Sequence, residues 1–256
     1  MTKYARVSRN GKSFWGIIDK EIVTPFENAP WIDSRSTGEE IPLEQCKLLA
    51  PVTPSKIALI GLNYHDHIKE SQSADSAPEE PVIFMKPPTA VIGPGDNIPY
   101  PPELERVDYE GELAAIIGKR IYRGDEDQAR KAIFGYTCLN DVTARHLQKK
   151  DVQWTRGKGF DGFAPVGPWI VAGIDPLDLK IETHLNDELR QSSRTSHQIW
   201  NVFSLVSFIS RVMTLLPGDV VSTGTPQGVG PLRPGDVVRI TIENIGTLEN
   251  GVRFID

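Results

Sequence analysis

Short strand-like runs separated by turns that contain glycine and proline fill most of this 256-residue chain. Pro-Gly-Asp occurs at 94–96, 217–219 and 234–236, and Val-Val and a strand-like run follow the last two copies. Proline followed by glycine is typical of a type II turn. One long helical pattern stands out, over residues 201–216, where apolar residues recur at three- and four-residue steps. These features predict a β-rich α+β fold. There is no alternation of strands and helices and no GxGxxG motif, which argues against a Rossmann domain.

Composition excludes several classes of protein. The chain has 28 Lys and Arg against 34 Asp and Glu, a net charge of −6, and this acidity argues against a nucleic-acid partner. Its two cysteines, Cys46 and Cys138, exclude a disulfide scaffold and suit a reducing compartment. The longest apolar runs, 57–62 and 113–118, are far shorter than the roughly 18 residues of a membrane span, and the N-terminus lacks the apolar stretch of a signal peptide. We therefore expect a soluble, cytoplasmic protein.

Two segments are predicted on either side of a proline-punctuated connector. Residues 1–52 contain two strand-like runs around Asn10-Gly11, a dipeptide that favours a tight hairpin, and they form a small N-terminal β domain. Residues 53–256 form the larger domain. Within it we predict a hairpin around Asn186-Asp187 and a short helix over 124–135, which starts with acidic residues and ends at glycine.

The most informative segment is residues 106–119, which we predict to be one strand with a buried, continuously apolar second half. On a strand, Asp108, Glu110 and Glu112 share a face. Asp141 ends another apolar strand, where a carboxylate is costly unless it is paired or binds a ligand. Such an oxygen-only set favours Mg²⁺ or Mn²⁺, with Ca²⁺ also compatible, over Zn²⁺ or copper. We expect Asp108 to stay outside the metal ligands. An exposed acidic strand end is the alternative.

A second candidate cluster is the pair His67 and Glu70. Three residues apart on a helical turn, they lie within reach of each other, and a carboxylate beside an imidazole raises its basicity, as a water-activating base requires. A surface salt bridge is the alternative. The polar, aperiodic residues 71–81 follow directly, so we predict a lid over residues 64 to about 80 that carries the base.

Cationic and amide groups form a third set. Lys86 ends an apolar strand and Lys158 lies in a glycine-rich loop, so both are candidate carboxylate binders or proton carriers, with solvated lysines as the alternative. Arg145 and Gln148 lie together in a helical segment. Residues 222–230 form a Gly/Thr loop whose backbone N–H groups could hold a substrate oxygen.

The candidate residues lie in six motifs, which follow one another along the chain in this order: GLNYHDHIKE, FMKPPTAVIGPGD, VDYEGELAAIIGK, GYTCLNDVTAR, KGFDGFAPVGPWI and STGTPQGVGPLRPGD. Together they resemble the fumarylacetoacetate hydrolase family from about residue 56 to the C-terminus. The resemblance implies a mixed β-sandwich roll and a homodimer. The first fifty residues are similar to the small extra domain of bacterial members that resemble 2-hydroxyhepta-2,4-diene-1,7-dioate isomerase.

The resemblance also implies roles for individual residues. The metal ligands would be Glu110, Glu112 and Asp141, which bind Mg²⁺ or Mn²⁺. The catalytic residues would be His67, Glu70 and Lys158. Arg145, Gln148 and Thr225 would contact the substrate, and Lys86 joins them from its position in the sequence.

The function implied is metal-dependent chemistry on small 2-oxo acids or their enols. Isomerisation or decarboxylation of the 2-hydroxyhepta-2,4-diene-1,7-dioate and 5-oxopent-3-ene-1,2,5-tricarboxylate type is favoured by the N-terminal extension. A C–C hydrolase of acylpyruvates or fumarylpyruvate, or an oxaloacetate decarboxylase, is the alternative. A metal-binding protein without turnover is the third candidate, although a purely structural site needs no base.

Overall fold

The computed structural model describes residues 1–71 and 78–255, without the side chains of residues 69–71. The N-terminal segment contains β1 (Thr2–Arg9), β2 (Lys12–Asp19), β3 (Ile22–Phe26), β4 (Ile41–Pro42) and β5 (Lys47–Leu49). β1 and β2 form the predicted hairpin, in which Asn10 and Gly11 have φ angles of +50° and +77°. A small core lies between these strands, built from Ala5, Val7, Ile18, Val23 and Ile41.

The remaining strands are short and numerous. They are β6 (Ile57–Gly61), β7 (Val82–Lys86), β8 (Val91–Ile92), β9 (Ile98–Tyr100), β10 (Val107–Tyr109), β11 (Gly111–Ile117), β12 (Ile133–Asn140), β13 (Thr143–Ala144), β14 (Ala164–Ala172), β15 (Lys180–Leu185), β16 (Glu188–Arg194), β17 (Val220–Ser222), β18 (Gly230–Leu232), β19 (Val237–Ile242) and β20 (Gly246–Phe254). The helices are α1 (His65–Ser71), α2 (Glu126–Ala132), α3 (Arg145–Lys150), α4 (Thr155–Lys158) and α5 (Val202–Val212). This strand-rich composition confirms the predicted β-rich α+β class.

Within the described ranges the strands form three sheets. The large sheet has the order β4-β3-β2-β1-β14-β12-β11-β17-β6-β7, with β5 on β1 and β8 on β14. A five-stranded sheet has the order β16-β15-β19-β20-β9, and a three-stranded sheet the order β13-β10-β18. Leu113 and Cys138 of the large sheet share a buried core with Ile181 and Ile240 of the five-stranded sheet, so the two sheets form a sandwich.

The N-terminal strands extend the large sheet, because Lys3 in β1 pairs with Val171 in β14. The division of the chain into domains at residues 1–52 and 53–256 stays a prediction. The hairpin predicted around Asn186-Asp187 is confirmed, since Leu185 pairs with Glu188 across that turn.

The long helix predicted over 201–216 is shorter in the structure. Asn201 caps α5 by accepting hydrogen bonds from the backbone N–H groups of Phe203 and Ser204. The helix ends at Val212 because the following backbone is extended, and Leu215 exchanges two backbone hydrogen bonds with Ile121. In the described part of the chain, no helix has both the length and the apolar character that a membrane crossing requires.

The strand predicted over 106–119 is interrupted at Glu110, so the prediction of one continuous strand was wrong. β10 lies in the three-stranded sheet and β11 lies in the large sheet. At the break, the backbone N–H of Glu110 donates to Asn140 Oδ1 and its carbonyl accepts from the N–H of Asp141. The β11–β12 register, in which Gly111 lies opposite Asn140, continues at this point and keeps the Glu110 backbone beside Asp141.

Candidate metal centre

Three buried carboxylates meet where β10, β11 and β12 end or begin. Glu110 follows β10, Glu112 is the second residue of β11, and Asp141 directly follows β12. These residues are at most 4% exposed, and one oxygen from each lies within 4.8 Å of the others. Glu112 lies opposite Leu139 in the β11–β12 ladder, which brings Asp141 next to it. The structure therefore brings together the three residues that the sequence predicts as metal ligands.

Two lysines and an arginine form ion pairs with Glu110 and Asp141 of this cluster. Lys158 Nζ donates to Glu110 Oε2 at 2.9 Å and to Asp141 Oδ2 at 2.5 Å. Arg145 Nη2 donates to Glu110 Oε1 at 2.5 Å. Burial opposes the charged form of Glu110, but Lys158 and Arg145 outweigh it and hold its pKa well below the usual value. Burial also opposes the charged form of Lys158, but Asp141 and Glu110 outweigh it and raise the pKa of this amine. Lys158 therefore keeps its positive charge at neutral pH.

Glu112 has no cationic partner within salt-bridge distance among the described residues. Its Oε2 accepts hydrogen bonds from Ser222 Oγ at 2.5 Å and from the backbone N–H of Gly224 at 3.0 Å. Burial, together with the charges of Asp141 and Glu110, raises its pKa well above the usual value. A cation placed between Glu112 and the neighbouring carboxylates would therefore stabilise the charged form of Glu112 most.

Lys86 lies behind the cluster, and the predicted substrate contact of Lys86 does not fit this position. Its amine donates to the carbonyls of Val142 at 2.8 Å and Phe163 at 2.5 Å, and it is 2.8 Å from Asp141 Oδ1. Two of its N–H bonds thus go to backbone carbonyls, and its charge is paired with that of Asp141. Burial lowers the pKa of Lys86 to about 8. The geometry assigns this lysine to supporting Asp141.

Asp108 lies outside the carboxylate cluster, as expected, and connects to it through Arg145. Arg145 Nε donates to Asp108 Oδ2 at 2.9 Å, and its Nη1 donates to Gln148 Oε1 at 2.5 Å. Arg106 also donates to both Asp108 oxygens. Arg145 is thus held between two acids, and Gln148 turns its amide oxygen toward it.

A pocket opens beside the carboxylates. Its polar wall comes from residues that the sequence predicts for the site, namely His67, Glu110, Glu112, Asp141, Arg145, Gln148, Lys158 and Thr225. Its apolar wall, which the sequence did not predict, consists of Ile60, Leu62, Phe84 and Trp154.

Thr225 lines the pocket from the loop after β17. The same loop contains Gly224, whose backbone N–H donates to Glu112. Its hydroxyl donates to the carbonyl of Gly111 at 2.9 Å and accepts from Gln191 Nε2 at 2.8 Å. Gln191 Oε1 in turn accepts from the N–H of Gly111. Sequence reasoning missed Gln191, because nothing in its local pattern points to the site.

His67 lies in α1, is 6% exposed and lines the pocket. The side chain of its predicted partner, Glu70, falls outside the described residues. The predicted lid over residues 64 to about 80 also falls partly outside them. The His67–Glu70 pair and the lid therefore stay predictions.

The donor set fits a divalent cation. The cluster offers only carboxylate oxygens, which hard cations such as Mg²⁺ and Mn²⁺ prefer. Glu112 is a buried carboxylate beside Glu110 and Asp141, and no lysine or arginine of the described residues lies within salt-bridge distance of it. Glu110, Glu112 and Asp141 are thus the residues that could hold such an ion.

Comparison with known proteins agrees with this architecture. The family model described as fumarylacetoacetate (FAA) hydrolase C-terminal matches residues 56–253, and the model described as Rv2993c-like, N-terminal, matches residues 2–51. Oxaloacetate tautomerase YisK of Bacillus subtilis is 45% identical over 252 residues, which cover 91% of this chain and 83% of that protein.

Two solved structures are similar over nearly the whole chain. The 5-carboxymethyl-2-hydroxymuconate delta-isomerase from Mycobacterium smegmatis is 43% identical with a TM-score of 0.93, covering 99% of this chain and 100% of that one. Maleylpyruvate hydrolase from Sphingobium sp. SYK-6, in complex with manganese (II) ion and pyruvate, is 30% identical with a TM-score of 0.82 and covers 99% and 100%. The chain belongs to the fumarylacetoacetate hydrolase family of enzymes.

Proposed function

We propose that this protein is a divalent-metal-dependent isomerase of small 2-oxo acids and their enols, including the keto–enol interconversion of oxaloacetate. The observation that carries this proposal is the buried carboxylate cluster, which lines a pocket together with the cationic side chains of Arg145 and Lys158. A tautomerase and an isomerase among the similar proteins support the same reaction class. Decarboxylation of a related enol-forming substrate passes through the same type of enolate and belongs to this proposal.

The charge of the site favours an anionic substrate. Three carboxylates, Glu110, Glu112 and Asp141, face three cations, Lys86, Lys158 and Arg145, in direct contact with the cluster. With all six ionised, they balance. A divalent cation adds two positive charges, and the carboxylate and enolate oxygen of a 2-oxo acid group together carry two negative ones. The loaded site therefore neutralises the 2-oxo acid group, which limits the cost of burying it, while the distal carboxylate of oxaloacetate adds one further negative charge.

When bound at the carboxylates, Mg²⁺ or Mn²⁺ would supply positive charge that stabilises the negative oxygens of a 2-oxo acid and its enolate. The chain's own residues then orient the substrate and move its proton. Lys158 Nζ stays protonated at the pocket floor, so it can neutralise a substrate carboxylate and deliver a proton to the neighbouring carbon.

A spectrophotometric assay tests the proposal. The ultraviolet absorbance of enol-oxaloacetate should fall faster with protein and Mn²⁺ than with Mn²⁺ alone, and EDTA should return it to the uncatalysed rate. Glu110→Gln should abolish the acceleration, while Glu188→Gln, at an exposed site, should retain it. Acceleration that survives both EDTA and Glu110→Gln would contradict the proposal.

Hydrolysis of a C–C bond is a second candidate, favoured by the position of His67 in the pocket wall. A general base there could activate a water that attacks the distal carbonyl of an acylpyruvate. His67→Ala should then lower the rate of acylpyruvate cleavage by roughly 10²–10⁴-fold and leave oxaloacetate isomerisation intact. His65→Ala, at an exposed position of the same helix, is the matched control. Unchanged cleavage in His67→Ala would remove His67 from this role.

A further inference from the structure

Leu62 has an unusual backbone conformation at the pocket. Its φ is +61°, in the left-handed region, and it lines the apolar wall. Among the described residues, eight other than glycine have positive φ, and Leu62 is the apolar one; the others are Asn10, Lys20, Glu21, Arg123, Asn186, Asp187 and Asn244. A leucine in this conformation costs about 1–2 kcal/mol in backbone strain. Glycine adopts the same conformation freely, so the turn itself does not require a leucine. Strain of this kind is typical of functional sites.

The structure holds Leu62 in place through its buried neighbour Asn63. Asn63 Nδ2 donates to the carbonyls of Thr223 at 2.7 Å and Trp200 at 3.0 Å, and its Oδ1 accepts from the N–H of Trp200 at 2.9 Å. The Asn63 carbonyl accepts from the N–H of Ile199 at 2.9 Å. These four hydrogen bonds, rather than the Leu62 side chain, fix the turn.

The same turn is connected to the candidate metal centre. A Cβ added at Gly224, whose φ is +91°, would come within 2.8 Å of the Asn63 side chain, so glycine allows this close approach. The backbone N–H of Gly224 donates to Glu112. These contacts therefore fix the position of Leu62 in the pocket lining relative to the carboxylates.

We propose that Leu62 is a specificity-determining residue whose side chain contacts the carbon chain of the substrate beyond the 2-oxo acid group. This role deepens the proposed function and rests on it. The carboxylates and cations line part of the pocket, and the 2-oxo acid group faces them. The rest of the ligand meets the apolar lining side chains, which include Leu62, Phe84 and Trp154. Leu62 is partly exposed there, so its side chain has surface left for a ligand to cover.

Calorimetric titration of the Mn²⁺-loaded protein with pyruvate, 2-oxobutyrate and 2-oxopentanoate tests this role, since these acids differ only in tail length. In the wild type, affinity should rise by about fourfold for each added methylene that is buried. Leu62→Gly should flatten this rise, and its melting temperature should stay unchanged or increase, because glycine removes the backbone strain. Leu62→Met, which restores a long apolar side chain, should recover the rise.

Glu21→Gly is the matched control, because Glu21 has a φ of +65° and is exposed in the turn between β2 and β3. It should keep the wild-type dependence on tail length. A Leu62→Gly variant with the wild-type dependence, or one that melts much lower as a core deletion would, overturns the role of Leu62 alone. Failure of the wild type to bind any of the three acids would overturn the proposed function, and the role of Leu62 with it.

Discussion

Replacing Glu112 by glutamine should stabilise the metal-free protein while removing metal binding. Both hydrogen bonds to this side chain end on one oxygen, Oε2, which accepts from Ser222 and Gly224. A glutamine can present its amide oxygen to those two donors. Its NH₂ group then faces the other carboxylates, where it can donate a hydrogen bond instead of adding a negative charge. The substitution thus keeps the local geometry and removes a repulsion.

The expected gain follows from the spacing of the carboxylates. Two unit charges separated by 4.8 Å, the limit for the three oxygens, repel by about 3.5 kcal/mol at an effective dielectric of about 20. Lys158 bonds to Glu110 and Asp141 and offsets part of this repulsion. We therefore expect Glu112→Gln to raise the free energy of unfolding by about 2 kcal/mol in EDTA. For a chain of this size, that is a rise of about 4–8 °C in melting temperature.

Differential scanning calorimetry with EDTA and with Mn²⁺ measures both effects. Wild-type protein should melt higher with Mn²⁺ than with EDTA, because an ion that binds only the folded state stabilises it. Glu112→Gln should melt higher than the wild type in EDTA and lose the Mn²⁺ response. Glu182→Gln, on β15 and away from the cluster, is the control. A Glu112→Gln variant less stable than the wild type in EDTA would refute this reasoning.

The remaining predictions concern pH and the charged partners of the cluster. Because the pKa of Glu112 is raised in the folded state, the unfolded chain loses this proton first, from about pH 4.5. The metal-free stability contributed by Glu112 therefore falls as pH rises from there toward the folded pKa. Subtracting the stability of Glu112→Gln from that of the wild type at each pH isolates this slope. Equal dependence of stability on pH in the two proteins would contradict it. Lys86→Met should destabilise by about 3–5 kcal/mol in denaturant titrations, since Asp141 loses a buried partner; a neutral effect would remove the supporting role of Lys86. Asn63→Ala should destabilise by about 2–4 kcal/mol, because it leaves buried backbone groups unpaired, and wild-type stability would show that the Leu62 turn is held otherwise.

The residue types at turns and the spacing of the acidic residues made much of this structure predictable. Asn10-Gly11 and Asn186-Asp187 adopt the positive φ angles of tight hairpins, as their residue types predict. The three carboxylates meet in the structure because Glu112 and Asp141 lie on paired, buried strands, and buried acids need partners.

Long-range contacts account for what the sequence did not predict. The interruption at Glu110 depends on Asn140, which is distant in sequence and replaces a strand partner with a side-chain hydrogen bond. The early end of α5 depends on the pairing of Leu215 with Ile121. Lys86 has the same sequence context as a substrate-binding lysine, and only its two carbonyl acceptors and its buried ion pair assign it to Asp141. A single sequence contains no local signal for such pairings.

A crystal structure grown with Mn²⁺ and oxalate, a mimic of a 2-oxo acid, tests the central claim most directly. We predict one anomalous peak, with an oxygen of Glu110, Glu112 and Asp141 each within about 2.3 Å of the ion, and with oxalate bound to it inside the pocket. Two results would contradict the claim that these carboxylates form the metal centre of the enzyme. One is an anomalous peak elsewhere, and the other is the absence of any peak in a structure in which Lys158 still bonds to Glu110 and Asp141.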